Sequence, residues 1–509
     1  MRLPSAASHV AVLHVAVPLA FLLFSPAGAA AQESTPAELA AEAPDPDQAP
    51  INVLLIYADD QRADTIGALG NDGIRTPHLD SLVERGTAFE RTYCLGGPHG
   101  AVCIPSRAML MTGRAWFELD LGEFDGRTTL PEHMAAAGYR TFMTGKWHNG
   151  HAALRRAFPQ ARAVMRAGMS NHFQVPLVDV EGGEFQNVRQ GEGHSSEIFA
   201  DQAVAFLERA AEGEAPFFCY VAFTAPHDPR DAPIAWRERM AGRRPPLPAN
   251  FMPQHPFDNS QLTTRDEMLG PWPRTEELVR EQLAEYYALI EHLDSQVGRV
   301  LAALEASGRA DRTLVVYAAD HGLAMGSHGL LGKQSVYEHS MRAPLILAGP
   351  GIPHGRTNSL AYLHDIYATV LATAGLEAEG DTHSRDLHPL LGEDAPVGRE
   401  VVLTSQHHMR AITDGRWKLI RYPDIDRTQL FDLESDPAEL HDLGSDPDQS
   451  ERIAALRKQL LAQQTLLGDH QPWTSPEQHP AEIDLTGHER VIDPWQPQWI
   501  REKYFGEGR

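Results

Sequence analysis

Two apolar runs that end in acids constrain this chain more than any other feature. Ile51-Asn-Val-Leu-Leu-Ile-Tyr57 passes through Ala58 into Asp59-Asp60, and Thr313-Leu-Val-Val-Tyr-Ala-Ala319 passes into Asp320-His321. Near-continuous apolar runs of this length read as strands covered on both faces, the mark of a parallel sheet. Tyr139–Met143, Pro216–Phe223 and Pro344–Ala348 read as further strands. Helices are expected between them, at Leu130–Gly138 and Ser195–Ala210. Apolar residues at 279, 283, 286, 290, 293, 297, 301 and 304 mark Glu276–Glu305 as a long amphipathic helix. The alternation predicts an α/β fold, a large mixed, mostly parallel sheet sandwiched by helices. Ligands of such sheets bind beyond the carboxyl ends of the strands. Asp59, Asp60, Asp320 and His321 are therefore expected to converge, although they lie far apart in sequence.

The pattern changes after residue 385. Val401–Thr404, Trp417–Tyr422 and Gln429–Leu433 read as short strands, and Glu451–Gln464 as a helix. They predict a catalytic domain over 51–385 and a smaller antiparallel-sheet subdomain with its tail over 386–509. The tail beyond Gly468 is rich in Pro, Trp and His and is expected to wrap over the main body. At the other end, Arg2, the apolar stretch Val10–Phe24 and the small residues Ala27 to Ala31 read as a signal peptide over 1–31. The stretch is shorter than the ~20 residues of a spanning helix, and no cysteine follows it to carry a lipid. Residues 32–50, rich in Ala, Pro and acids, read as a linker. A periplasmic or secreted protein is expected. The net charge of −25 argues against nucleic acid and against anionic membranes as partners. An anionic substrate would need a local cationic cluster to overcome that background. The chain has three cysteines, Cys94, Cys103 and Cys219. An odd number in an exported chain leaves at least one unpaired.

Cys103 opens the segment Cys103-Ile-Pro-Ser-Arg-Ala-Met-Leu-Met-Thr-Gly113-Arg114. Pro105 suits the first turn of a short helix and Gly113 suits its stop. Cys103 would then lie just ahead of a helix N-terminus, where free N–H groups favour an anion, with Arg107 within a turn. The plain alternative is a buried structural cysteine. Asp59, Asp60, Asp320 and His321 suit a hard divalent cation better than zinc, which prefers more His or Cys. Their alternative is capping and turn acids, but buried together they would repel unless a cation or protons offset them. Three further segments carry basic groups: Gly145-Lys146-Trp147-His148, Pro226-His227-Asp228-Pro229-Arg230 and His328-Gly-Leu-Leu-Gly-Lys333. Each alone reads equally well as a surface loop.

Cys-x-Pro-Ser-Arg extended by Thr-Gly-Arg resembles the signature of the type I, formylglycine-dependent sulfatases, a branch of the alkaline phosphatase superfamily. The resemblance runs from about Ile51 to Leu433. It implies that Cys103 is oxidised to formylglycine by a separate formylglycine-generating enzyme, and that the hydrated aldehyde attacks sulfur to form a covalent sulfoenzyme. It implies one Ca²⁺ held by Asp59, Asp60, Asp320, His321 and the Cys103-derived group; many members carry Asn where this chain has His321. It implies that Arg107 holds the nucleophile, that Lys146, Lys333 and His227 bind sulfate or protonate the leaving oxygen, and that His148 acts as the base. The expected substrate is a sulfated carbohydrate. His172, Arg230, His407, His408 and Arg410 are candidate sugar contacts, with packing or surface roles as the alternative. The rival activities are a phosphonate or phosphate ester hydrolase with the same nucleophile, and a non-catalytic sulfated-glycan binder with unmodified Cys103.

Overall fold

The computed structural model describes residues 50–506 apart from 379, 381, 393, 394, 396 and 397. The expected signal peptide, 1–31, and all of the linker except Pro50 lie outside the described residues.

Asn52–Ala58 forms the middle of a ten-stranded sheet. It pairs in parallel with Thr313–Ala319 on one side and Phe217–Ala222 on the other. Arg140–Lys146 and then Gln160–Met165 extend the parallel set. All three strands at the centre are buried along their whole length. Burial on both faces is why they read as unbroken apolar runs.

Antiparallel pairs flank the parallel centre, although the outermost strand on one side, Gly355–Thr357, pairs in parallel with Gly86–Phe89. Leu345–Ala348 pairs antiparallel with both Thr313–Ala319 and Gly86–Phe89. The connector from Thr313–Ala319 to Leu345–Ala348 contains one helical turn, Glu338–Met341, in place of a crossover helix. At the opposite edge Pro176–Glu181 and Glu184–Gln190 form a hairpin. Every residue of Glu184–Gln190 is at least partly exposed. Its polar sequence is what a solvated edge strand requires, and it carries no apolar signal that sequence reading would detect.

The helices pack in two groups. Ser195–Ala211, Ile234–Ala241 and Pro77–Glu84 pack around Glu276–Ala306. Cys103–Thr112, Leu130–Ala136, His151–Ala157 and Asp365–Thr373 form the second group. Glu276–Ala306 buries the apolar stripe expected of it, from Val279 to Leu304, and its N-terminus is capped by the Thr275 hydroxyl accepting from Leu278 N.

A separate five-stranded sheet contains the meander Val402–Gln406, Met409–Thr413, Trp417–Tyr422 and Arg427–Asp432. Its fifth strand, Gly96–Gly97, comes from the main body and pairs in parallel with Val402–Gln406. This pairing fixes the meander beside the chain that leads into Cys103. Ser450–Leu467 packs on the meander. The tail then runs back along the main body, where Asp258 N donates to Ala481 O at 2.7 Å, and ends in the helix Gln498–Phe505. Among the described residues no helix is long and apolar enough to cross a membrane.

Candidate active site

Parallel register assembles the site. Ala58 lies opposite Ala319, so Asp59-Asp60 and Asp320-His321 leave adjacent strands at one level. Asp60 N donates to Asp320 Oδ1 at 3.0 Å. Asp60 has φ 66, a left-handed conformation rare for a residue with a Cβ. Its carbonyl accepts from the Tyr286 hydroxyl at 2.6 Å, and the same hydroxyl accepts from Arg62 N at 3.0 Å. The long helix Glu276–Ala306 thereby holds the acidic turn in place.

Lys146 ends its strand beside them for a steric reason. Gly145 has φ +100, and a Cβ there would lie 1.8 Å from Ala222 O. Only glycine lets the strand press so close. Lys146 Nζ then donates to Asp59 Oδ2. Gly329 serves the loop of the second lysine in the same way: a Cβ there would meet the Gln254 carbonyl carbon at 2.2 Å. Lys333 Nζ reaches both oxygens of Asp60 at 2.9 Å and donates to His227 Nε2 at 3.1 Å.

Cys103 is the first residue of the helix Cys103–Thr112, one position inside the expected boundary, and Gly113 ends the helix at φ 68. The Cys103 thiol is buried and lies 3.1 Å from His148 Nδ1. Burial pushes this thiol up, but Lys146, the neighbouring His321 and Lys333 overcome that and hold it down at about 6. Burial and the charge of Lys146 keep His148 well below the usual histidine range, so its ring is neutral. Arg107 Nη2 donates to Asp320 Oδ2 at 3.1 Å and Nη1 to the Tyr220 hydroxyl at 3.2 Å. The serine of the motif has a job as well: Ser106 Oγ donates to the Asp320 carbonyl at 2.8 Å.

The acids form a set that suits a cation. Oxygens of Asp59, Asp60 and Asp320 lie within 4.8 Å of one another, and Cys103, Asp320 and His321 form an overlapping group. Asp59 Oδ1 and His321 Nε2 are buried without a hydrogen-bond partner. His321 Nδ1–H donates to Gly322 O at 2.9 Å, which leaves the Nε2 lone pair 3.3 Å from Asp60 Oδ1. A lone pair facing a carboxylate needs a cation or a proton between them. Burial lowers the His321 pKa, but Asp320 and Asp60 raise it to about 9, so without an ion a proton takes that place. The oxygen-rich donor set fits a hard divalent ion.

The five candidate sugar contacts divide. His172 is buried, with Nε2 donating to His227 O at 3.0 Å and Nδ1 accepting from Ser195 Oγ at 2.7 Å. Arg230 is buried and donates to Gln282 Oε1. Arg410 pairs with Asp469 at 2.6 Å and 2.9 Å and donates to His407 O at 2.7 Å. His407 and His408 are the two-residue tip of a hairpin, since Gln406 pairs with Met409. His407 has φ 51, where Asn or Gly would be the ordinary choice. The two rings lie 4.0 Å apart, His408 Nδ1 is 2.9 Å from Asp424, and His407 N donates to Gly97 O at 3.0 Å. This tip therefore sits against the segment that leads to Cys103.

Sequence reading missed Arg265 and Asp266. Arg265 forks onto the Asp228 carboxylate, and Asp266 Oδ2 lies 3.6 Å from Lys333 Nζ. They stand in a stretch without periodicity or motif, so their place beside the site is a long-range fact with no local signal.

Comparison with known proteins gives a consistent picture. The family model described as Sulfatase matches residues 51–376, and one described as N-sulphoglucosamine sulphohydrolase, C-terminal, matches 326–465. An N-acetylglucosamine-6-O-sulfatase of Bacteroides thetaiotaomicron is 25% identical over 503 residues, covering 83% of this chain and 87% of its own length. A protein solved in complex with its substrate D-glucosamine-2-N,6-O-disulfate superposes with a TM-score of 0.71 at 22% identity, over 83% of this chain and 99% of that one. The phosphonate monoester hydrolase of Agrobacterium radiobacter superposes with a TM-score of 0.66 at 22% identity, over 82% of this chain and 95% of that one.

Proposed function

Since the chain belongs to the sulfatase family, we propose that it removes sulfate from sulfated carbohydrates with a formylglycine made from Cys103 and a bound calcium ion. The observation that carries this reading is the buried Cys103 thiol against His148, ringed by Lys146, Lys333 and Arg107 in a chain of net charge −25. These three cations are the local cluster an anionic substrate needs against that background.

Formylglycine at position 103, installed by the generating enzyme, supplies a hydrated aldehyde whose hydroxyl is a nucleophile toward sulfur. Asp59, Asp60, Asp320 and His321 would hold Ca²⁺ together with that group, and the ion supplies Lewis acidity that favours the deprotonated hydroxyl. Lys146 and Lys333 are paired with Asp59 and Asp60, and both ammonium groups would donate to the sulfuryl oxygens. Charge developing there is stabilised by donors already in place. Arg107, braced by Asp320 and Tyr220, holds the nucleophile at position 103 and favours its deprotonated form. His227 Nε2 and Lys333 Nζ, 3.1 Å apart, share the proton passed to the leaving alcohol oxygen. His148, held neutral, takes a proton from the side chain at position 103 as sulfate departs.

For the sugar, His407 and His408 are the proposed contacts, at a tip whose turn chemistry favours other residues. Residues acting against local propensity mark functional positions. His172, Arg230 and Arg410 support the loops around them, since their polar atoms have internal partners. The segment 386–509 is the accessory subdomain to a catalytic domain over 51–385, and the signal-peptide-like pattern of residues 1–31 supports a periplasmic or secreted enzyme.

Desulfation of defined sulfated monosaccharides, measured beside hydrolysis of a phosphonate monoester and 4-nitrophenyl phosphate, tests the reading. Sulfate release is expected to exceed phosphonate and phosphate hydrolysis. A preference for the phosphonate would replace the proposal with the rival hydrolase, and no hydrolysis of any of them by protein carrying formylglycine would leave a binding protein.

A further inference from the structure

We propose that the C-terminal tail is part of the catalytic scaffold, acting through Arg265 as a clamp that positions His227 and Lys333. The inference rests on the roles given to those two residues above.

Arg265 is the hub. Its guanidinium forks onto both oxygens of Asp228, the residue after His227. Nη1 also donates to Asp266 Oδ1 at 2.9 Å. Asp266 uses its other oxygen to accept from Gln334 Nε2 at 2.7 Å, and that oxygen lies 3.6 Å from Lys333 Nζ. One side chain thus ties the His227 turn to the Lys333 loop. Bidentate pairs of this kind fix orientation as well as distance.

The tail holds the hub. Asp493 Oδ2 accepts from Arg265 Nε at 3.0 Å and Nη2 at 2.6 Å. Gln496 Nε2 donates to Asp228 Oδ2 at 2.8 Å, and Trp499 Nε1 donates to Asp231 Oδ1 at 3.0 Å. Lys503 Nζ then pins the last helix to Glu285 at 2.9 Å. Within one short segment, 493 to 503, Gln496 and Trp499 reach the loop after His227, Lys503 reaches the long helix and Asp493 holds Arg265. A packing role alone would not direct three of them to the acids at 228, 231 and the Arg265 fork. His172 separately fixes the His227 carbonyl at 3.0 Å. The His227 turn is held both at the His227 carbonyl and at the Asp228 carboxylate, and Asp493, Gln496 and Arg265 are positioning residues.

A general acid contributes about 10²- to 10⁴-fold, and most strongly where the leaving group is poor. Misplacing it by about 1 Å costs on the order of 10²-fold. The test uses full-length enzyme carrying formylglycine, with Asp493→Asn, Gln496→Ala and Arg265→Gln, each alone and combined with His227→Ala. Two readouts are taken: kcat on aryl sulfates from good to poor leaving groups, and amide hydrogen exchange over residues 224–231 and 330–334. The tail variants are expected to raise exchange in both segments. They should lower kcat about 10-fold or more on the poorest leaving group, little on the best, and add nothing once His227 is Ala. Arg265→Lys should recover part of the loss. Unchanged exchange, or equal losses with and without His227, would overturn the clamp. If His227→Ala itself shows no dependence on the leaving group, its role as acid falls, and the exchange data alone then decide whether the tail positions the loop.

Discussion

At the strand ends, Asp59, Asp60, Asp320 and Lys146 are neighbours because parallel pairing sets adjacent strands level. Away from the strand ends, Arg265 meets Asp493 and, separately, Arg410 meets Asp469, each pair across a long stretch of chain and not by strand pairing. The first region needs the right residue at or just past the end of each strand, with Gly145 and Tyr286 supporting it. The second needs several loops and the tail to arrive together. Under the proposed function, the difference separates chemistry, assigned to the first region, from positioning and substrate choice, assigned to the second.

Replacements at the strand ends should abolish turnover, and those away from them should alter its efficiency or the stability of the fold. The largest effect is expected for Cys103→Ser: sulfate release under steady-state conditions should fall at least about 10³-fold, as for loss of a covalent nucleophile. Retention of full activity would place the nucleophile elsewhere. Chelation should follow, with activity falling at least about 10²-fold and returning on addition of Ca²⁺; the same loss, without recovery, is expected of Asp320→Asn. Lys333→Ala should lower kcat about 10²- to 10³-fold, the usual loss for a donor aimed at developing charge. Away from the strand ends, Arg410→Ala strands the buried Asp469 carboxylate. Removing one partner of a buried pair costs about 3–5 kcal/mol, so thermal or denaturant unfolding should register the loss while KM for the sugar stays nearly constant. The smallest effect is expected for His408→Ala: a rise of a few-fold in KM for a sulfated sugar and none for an aryl sulfate. An equal rise on both substrates would remove the hairpin tip from the sugar site.

How much was legible follows the same division. The central strands, the long helix and the helix after Cys103 were readable because burial imposes a period or an unbroken run on the residues themselves. The edge strand Glu184–Gln190 and the strand Met409–Thr413 were not: the first is polar along most of its length, and the second is a five-residue strand in a hairpin whose turn, His407-His408, lacks the usual Asn or Gly. Leu345–Ala348 was found as a strand, but its antiparallel direction depends on where a long connector returns it. The acids and lysines of the site were legible because each follows a strand or stands in a compact motif. Arg265 and Asp493 were not, since nothing nearby in the chain distinguishes a guanidinium that will bridge the His227 and Lys333 loops from one that will face solvent. His172 was noticed as a candidate, while its work in fixing the His227 carbonyl is visible only in three dimensions.

The central claim is that position 103 is not a cysteine in the working enzyme. Peptide mass spectrometry of the segment containing residues 103–107, from protein whose sulfatase activity has been measured, tests it most directly. The account predicts an aldehyde in place of the thiol, in a proportion that tracks specific activity. A fully active preparation in which Cys103 is entirely an unmodified thiol would contradict it.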